Sequence, residues 1–237
     1  KEIQTISKLS HPNILPLTGY LVVDGFPAIV TPWVKRGSLF NKIQAGTLDT
    51  SDDFILRMAR SIIDGLEYLH SENIVHGDLK SSNIMLSSTD KPLLADFGLP
   101  HIINEEMTIT FTTITGSCSH IRWTAPEIFD GESNSNASDV WAFGMYCKEI
   151  LSHKVPYYEA SFDSMVVKKI IGGKHPSWPD VAEGPDATDS GFKRAARDVC
   201  EDCWCSRPDE RPHIKRVGDR LIERVNIESD TFNRKCF

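Results

Sequence analysis

The run His76-Gly77-Asp78-Leu79-Lys80-Ser81-Ser82-Asn83, with Asp96-Phe97-Gly98 beginning thirteen residues after Asn83, constrains this chain more than any other feature. From Asn73 to Phe97 short apolar runs alternate with polar clusters, which reads as a loop and two small strands around IVHGDLKSSNIML and KPLLADF. Whatever the fold, it has to carry two carboxylates, Asp78 and Asp96, and the amide Asn83 within this loop and its two small strands.

The flanking sequence is more regular. Ser51 precedes two acids and apolar residues at 55, 58, 59, 62, 66 and 69, so SDDFILRMARSIIDGLEYLH is predicted to be a capped core helix. KEIQTISKLS places Ile3, Ile6 and Leu9 on one helical face. Ile14 to Val22 and Phe26 to Thr31, separated by Val23-Asp24-Gly25, read as antiparallel strands, and Ser38 can cap a short helix. Residues 101–120 are rich in Ser and Thr without apolar periodicity and read as a mobile loop. Helices are expected at about 138–152, 161–171, 189–203 and 209–226. Few strands followed by many helices define an α+β chain.

Composition removes several functions. The 237 residues hold 26 Lys and Arg against 33 Asp and Glu, a formal charge of −7, the wrong sign for a general nucleic-acid binder. No apolar run reaches the length of about 18 residues that a membrane span needs. Six cysteines without a signal peptide point to reduced thiols in the cytoplasm, with the nucleus as the alternative compartment. Cys200, Cys203, Cys205 and His213 raise zinc, but a second spaced C-x2-C pair is missing, and Cys is commonly a small buried hydrophobe.

HGDLKSSN followed by DFG closely resembles the catalytic and magnesium loops of eukaryotic protein kinases. Six positions in register, at about one in twenty each, match by chance on the order of 10⁻⁸ per starting point. The resemblance implies a bilobal kinase-like fold with an incomplete N-lobe, and ATP and Mg2+ as cofactors. It makes Asp78 the residue that accepts or orients the substrate hydroxyl's proton and gives Lys80 a place on the γ-phosphate. Asn83 and Asp96 become the metal ligands. Ala125-Pro126-Glu127 resembles the family's APE motif, with Arg211 as the buried partner of Glu127. Asp139 to Gly144 resembles its D-x-W-x-x-G helix, where the Asp binds backbone amides around His76, and Cys203-Trp204 matches a late CW pair. By the same resemblance Glu2 is the glutamate that pairs with a strand lysine, Thr31 the gatekeeper, Pro32 to Val34 the adenine hinge and Met85 the floor below adenine. Ile6, Leu17, His76 and Phe97 form a spine next to Gly98.

The implied division is 1–31 as N-lobe remnant, 32–36 as hinge and 37–237 as C-lobe. No two glycines are spaced G-x-G, and Lys1 adjoins Glu2, so neither the phosphate-covering loop nor the paired lysine is found among these residues. The 237-residue polypeptide is therefore expected to bind ATP poorly and to turn over negligibly. Gly77 stands where the family has an arginine that clamps an activation-loop phosphate, and His120 where many members have a threonine. Lys80 is a Ser/Thr-kinase feature, whereas Arg122-Trp123-Thr124 is similar to tyrosine kinases, a mixture shown by the tyrosine-kinase-like group. The expected activity is phosphorylation of Ser and Thr in proteins. The competing expectation is a kinase-like scaffold or allosteric module.

Overall fold

The structure, a computed structural model, describes residues 6–23, 26–98, 120–178 and 191–235. Strands β1 (Gly19–Val23) and β2 (Phe26–Val30) pair antiparallel, with Gly19 opposite Val30 and Tyr20 opposite Ile29. The first strand starts later than its apolar run. Pro16 has no N–H for a ladder, and the residues before it turn to a different neighbour. Ile14 makes a single bridge to Leu94, and the Leu15 N–H donates to Leu94 O at 2.8 Å. Of the helix expected over 1–10, Ile6 is helical and residues 7 and 8 form a turn; residues 1–5, with Glu2, lie outside the described residues.

Local capping explains the next two helices. Ser38 accepts from the Asn41 N–H while the Asn41 side chain accepts from the Ser38 N–H, a reciprocal box that opens α1 (Leu39–Gln44). Ser51 accepts from the Phe54 N–H at 3.3 Å and Asp52 and Asp53 occupy the first turn of α2 (Asp52–Ser71). Ile55, Met58, Ala59, Ile62, Leu66 and Leu69 are all buried along its inner face.

After α2 comes the antiparallel pair β3 (Ile84–Leu86) and β4 (Pro92–Leu94). Short α3 (Pro126–Phe129) has Pro126 in its first turn, where the missing N–H costs nothing. Helices α4 (Asn136–Ser152), α5 (Asp163–Ile171), α6 (Gly191–Cys203) and α7 (Ile214–Lys235) follow. The last starts five residues later than expected, because Pro208–Glu210 forms a separate 3-10 turn and Pro212 interrupts the approach. The result is α+β as expected, with helices packed on one another and, among the described residues, two small sheets.

Helix α4 runs through the middle and is buried on every side. Helices α2 and α6 pack against it, and α7 packs against α2 and α6. Gly144 permits the closest approach. A Cβ there would fall 2.6 Å from Trp204 Nε1 and 2.8 Å from Cys203 Cβ, so the glycine of the α4 motif and the Cys203-Trp204 pair at the end of α6 are two halves of one contact. Gly144→Ala is expected to destabilise the chain by about 1–3 kcal/mol through overpacking. It should be read as a lower urea midpoint at unchanged slope; an unchanged midpoint would mean that α4 and α6 have slack there.

Candidate active site

The site is assembled on a buried carboxylate. Asp139 lies one turn inside α4, whose N-terminus is already capped by Ser135 and Ser138, so its side chain is available for a tertiary role. Asp139 Oδ2 accepts the His76 N–H at 2.8 Å and Oδ1 accepts the Gly77 N–H at 2.9 Å. His70, from the last turn of α2, places Nε2 2.9 Å from Oδ2. Both backbone donors reach one carboxylate because the loop turns sharply at Gly77, whose φ of +78° is left-handed; glycine adopts this without strain.

The next residues carry the charge. Asn83 closes the 3-10 turn Ser81–Asn83, and its Nδ2 donates at 2.8 Å both to Asp78 O and to Asp78 Oδ2. Lys80 Nζ is 2.8 Å from the same Oδ2. Strand β3 leads from Asn83, β4 leads into Asp96, and the Ala95 N–H donates to Asn83 O at 2.9 Å, so the ends of the strand pair place Asn83 beside Asp96. Asp96 has a left-handed φ of +57° and reaches solvent. Partial burial raises its carboxyl above the usual aspartate value; His76 and Lys80 pull it back and the like charge of Asp78 adds to the rise. The structure thus brings Asp78, Lys80, Asn83 and Asp96 into one cluster.

His76 is fully buried, and burial pushes its imidazole below the usual histidine value despite the carboxylates around it. Its Nδ1 accepts the Asp78 N–H at 3.3 Å, which assigns the proton to Nε2. The ring stands edge-on to Phe97 at 6.3 Å between centroids, and the Gly98 N–H donates to His76 O at 3.1 Å.

Nδ2 of Asn83 is spent on Asp78, and its Oδ1, which accepts a long 3.4 Å hydrogen bond from the Ser82 hydroxyl, is the amide oxygen that can face a cation together with the Asp96 carboxylate. Two hard oxygen donors, one of them the partly desolvated Asp96 carboxylate that a positive charge would relieve, suit magnesium.

Thr31 shares a cavity of roughly 20 Å3, room for about one water, with Ile6, Leu17, Asp96 and Phe97. Pro32 is exposed, Trp33 is 89% exposed and Val34 is half-buried. The Val34 carbonyl accepts from the Gly37 N–H at 3.2 Å, and Ser38 bridges to Met85. Met85 lies on the face of β3 opposite to buried Ile84 and Leu86. On the other side of the loop a pocket of about 30 Å3 is lined by Gly77, Asp78, His120, Trp123 and Thr124. Arg122 ties this segment to the chain after α4, donating to Pro156 O, Tyr157 O and Ala160 O at 2.7 to 3.0 Å. The Ser- and Thr-rich stretch before His120 lies outside the described residues.

Arg211 donates to both oxygens of Glu127 at 2.6 and 2.7 Å, to Ala137 O at 3.0 Å and through Nε to Cys205 O at 2.8 Å, with its plane over Trp141. The arginine side chain is fully buried and satisfied on each nitrogen face. Cys200 and Cys203 are buried thiols pushed up by burial, and Cys205 donates to Glu210.

Sequence reasoning missed three residues of this assembly: His70, Ser81 and Glu149. Ser81 Oγ donates to Glu149 Oε1 at 2.7 Å in a fully buried contact. The available signal was a charged pair, Lys148-Glu149, inside the apolar stretch Met145 to Leu151.

The family described as protein tyrosine and serine/threonine kinase matches residues 1–221. Similar proteins include a probable serine/threonine-protein kinase of Dictyostelium discoideum, 30% identical over 222 residues, which cover 92% of this chain and 19% of that protein. Mitogen-activated protein kinase kinase kinase 13-A of Xenopus laevis is 27% identical over 216 residues, 91% of this chain and 21% of its own length. Dual specificity protein kinase pyk3 of Dictyostelium discoideum is 28% identical over 221 residues, 93% and 15% respectively. The chain belongs to the protein tyrosine and serine/threonine kinase family, and it spans about a fifth or less of the length of these relatives.

Removing one partner of a buried ion pair strands the other, which costs about 3–5 kcal/mol. Arg211→Leu is therefore expected to lower unfolding free energy by about that amount in urea denaturation, and the double variant with Glu127→Leu should recover part of the loss. A double variant as unstable as the sum of the two singles would show that the pair is not coupled.

Proposed function

We propose that this chain forms the catalytic part of a protein kinase that transfers the γ-phosphoryl group of ATP to Ser and Thr hydroxyls of protein substrates, with magnesium held by Asn83 and Asp96. The observation that supports this most is the cluster itself: Lys80 and Asn83 both lie 2.8 Å from one oxygen of Asp78, with Asp96 beside them. Lys80 and Asn83 both take Oδ2, which leaves Oδ1 of Asp78 to face an incoming hydroxyl across the pocket lined by His120 and Thr124.

In the reaction the acceptor oxygen forms a bond to the γ-phosphorus while the bond from that phosphorus to the β,γ-bridging oxygen breaks. ADP leaves with the electron pair. The hydroxyl proton passes to Asp78, whose carboxylate is held in orientation by Asn83. Lys80 is close enough to Asp78 to move between that carboxylate and a γ-phosphate oxygen, where its charge offsets the charge that develops. Magnesium, when bound, neutralises the phosphate oxygens and fixes their direction.

Pro32 to Val34 would supply backbone hydrogen bonds to adenine, Thr31 would bound the rear of the pocket and Met85 its floor. His76, Phe97, Gly98, Asp139, Glu127 and Arg211 hold the loops in place. The acceptor preference rests on Lys80, and a reducing compartment, the cytoplasm or the nucleus, suits the free thiols Cys147, Cys200, Cys203 and Cys205.

The test is phosphotransfer from ATP to casein by the chain supplied upstream with a glycine-rich loop and paired lysine, followed by phosphoamino-acid analysis. Phosphoserine and phosphothreonine are expected, with Asp78→Asn reducing kcat by about 10²–10⁴-fold and Asp96→Asn lowering the rate and raising the magnesium concentration needed to reach half of it. Phosphotransfer that survives Asp78→Asn would overturn the assignment, and nucleotide binding without any phosphotransfer would favour a kinase-like binding module.

A further inference from the structure

A cavity of about 600 Å3 opens beside the Asp139 anchor, between the end of α2, the start of α4 and the start of α7. Small organic ligands occupy cavities of about 300–1,000 Å3, and the phosphoryl-transfer chemistry makes no use of this one.

Its wall holds donors that have no acceptor. The first N–H groups of an α-helix find no partner within the helix, and two long helices begin here. Asn136 and Ala137 open α4, where the Ser135–Ser138 box serves only the N–H groups of those two serines. Ile214 and Lys215 open α7, where His213 O accepts from Val217. Among the described residues the N–H groups of Asn136, Ala137, Ile214 and Lys215 are bonded to nothing, and neither is the Asn136 side-chain amide. The carboxylates on the wall are already engaged, Asp209 by Arg207 at 2.7 Å and Glu67 by Lys215 at 3.6 Å. Two helix starts and an exposed ammonium, with the acids paired, favour an anionic ligand.

His70 gives a separate indication of a ligand. Its side chain is 10% exposed and lines the same cavity. Nε2 lies 2.9 Å from Asp139 Oδ2, a bond in which the imidazole is the donor, so Nδ1 is left an acceptor, and it has no partner among the described residues. A nine-tenths-buried nitrogen of this kind gains from a group that can share a proton with it. A phosphate monoester, whose second proton leaves at about pH 6, has one to share near neutrality; a sulfate monoester has none. Val140, Pro212 and Ile214 add an apolar wall.

We propose that this cavity binds a phosphate monoester with a compact apolar body and that the catalytic loop responds to it. The phosphate accepts from the N–H groups at the two helix starts and from Lys215, and it shares a proton with His70 Nδ1. The body lies on Val140, Pro212 and Ile214. His70 Nε2 and the His76 N–H meet on one oxygen of Asp139, so polarising the imidazole alters the bond that holds the loop of Asp78.

The test needs no catalysis. Backbone N–H resonances of the 15N-labelled 237-residue chain are followed as phenyl phosphate is added to millimolar concentration. Those of Asn136, Ala137, Ile214 and Lys215 are expected to move downfield and saturate, and those of His76 and Gly77 to move with the same midpoint. Asn136→Asp and Lys215→Glu each put a negative charge in the first turn of a helix, which favours folding, yet each should weaken binding by about tenfold or more by repelling the dianion. Phenyl sulfate should bind about tenfold more weakly for want of a proton and a charge, and inorganic phosphate more weakly for want of the body. A phosphoserine peptide that binds more tightly than phenyl phosphate places the ester on a protein, and the reverse order places it on a small molecule; both support the site. Absence of a saturable shift at the four N–H groups, or a titration unchanged in both charge variants, overturns the site. Inorganic phosphate binding as tightly as phenyl phosphate overturns the apolar body, and saturation that leaves His76 and Gly77 in place overturns the link to the loop. Neither ATP nor phosphotransfer enters the titration, so its failure leaves the kinase reading intact, and absent phosphotransfer leaves the titration intact.

Discussion

The carboxylate of Asp139 carries the organisation of this molecule. It is buried at the start of the central helix and accepts two successive backbone N–H groups from the loop that ends in Asp78, while His70 closes the same oxygen from α2. A buried charge that satisfies backbone donors is expensive to misplace. Everything chemical follows from where it holds the loop: Gly77 turns, Asp78 points to the pocket, and Asn83 meets the end of β4. Helix α4 is in turn fixed by Trp204 against Gly144 and by Arg211, which binds Ala137 O as well as Glu127. One helix thus ties together the metal-facing loops, the acceptor turn and the late helices.

Much of this was legible in the sequence because it is local. Ser38 and Ser51 each cap a helix through a side chain that reaches a backbone N–H three residues away, and that spacing is visible by inspection. The apolar periodicity of α2 predicts its buried face position by position. The spacing of Asp78, Asn83 and Asp96 marked the cluster because phosphoryl transfer demands those residue types in that order. What sequence pattern misplaced were boundaries set by a missing donor: Pro16 delays β1, and Pro212 delays α7.

Long-range pairings were legible only through the family resemblance or not at all. Nothing in the periodicity around Ser81 points to Glu149, which is 68 residues away, and His70 reads as an ordinary last-turn cation of its helix. These contacts are decided by how α2 and α4 cross, which is a property of packing. They also distinguish this chain from a bare list of motif residues. Gly77 gives the loop its left-handed turn, and Glu149 of α4 holds the same loop at Ser81 through a 2.7 Å hydrogen bond.

The central claim is that Asp78, Asn83 and Asp96 face one cleft that takes a metal-bound nucleotide. Paramagnetic broadening by Mn2+ with millimolar ADP, observed on the 15N-labelled chain supplied upstream with a glycine-rich loop and paired lysine, tests it without turnover. The account predicts that the Asn83 side-chain amide and the backbone N–H groups around Asp78 and Asp96 broaden together, and only when metal and nucleotide are both present. Broadening of one loop without the other, or of a distant surface alone, would contradict it.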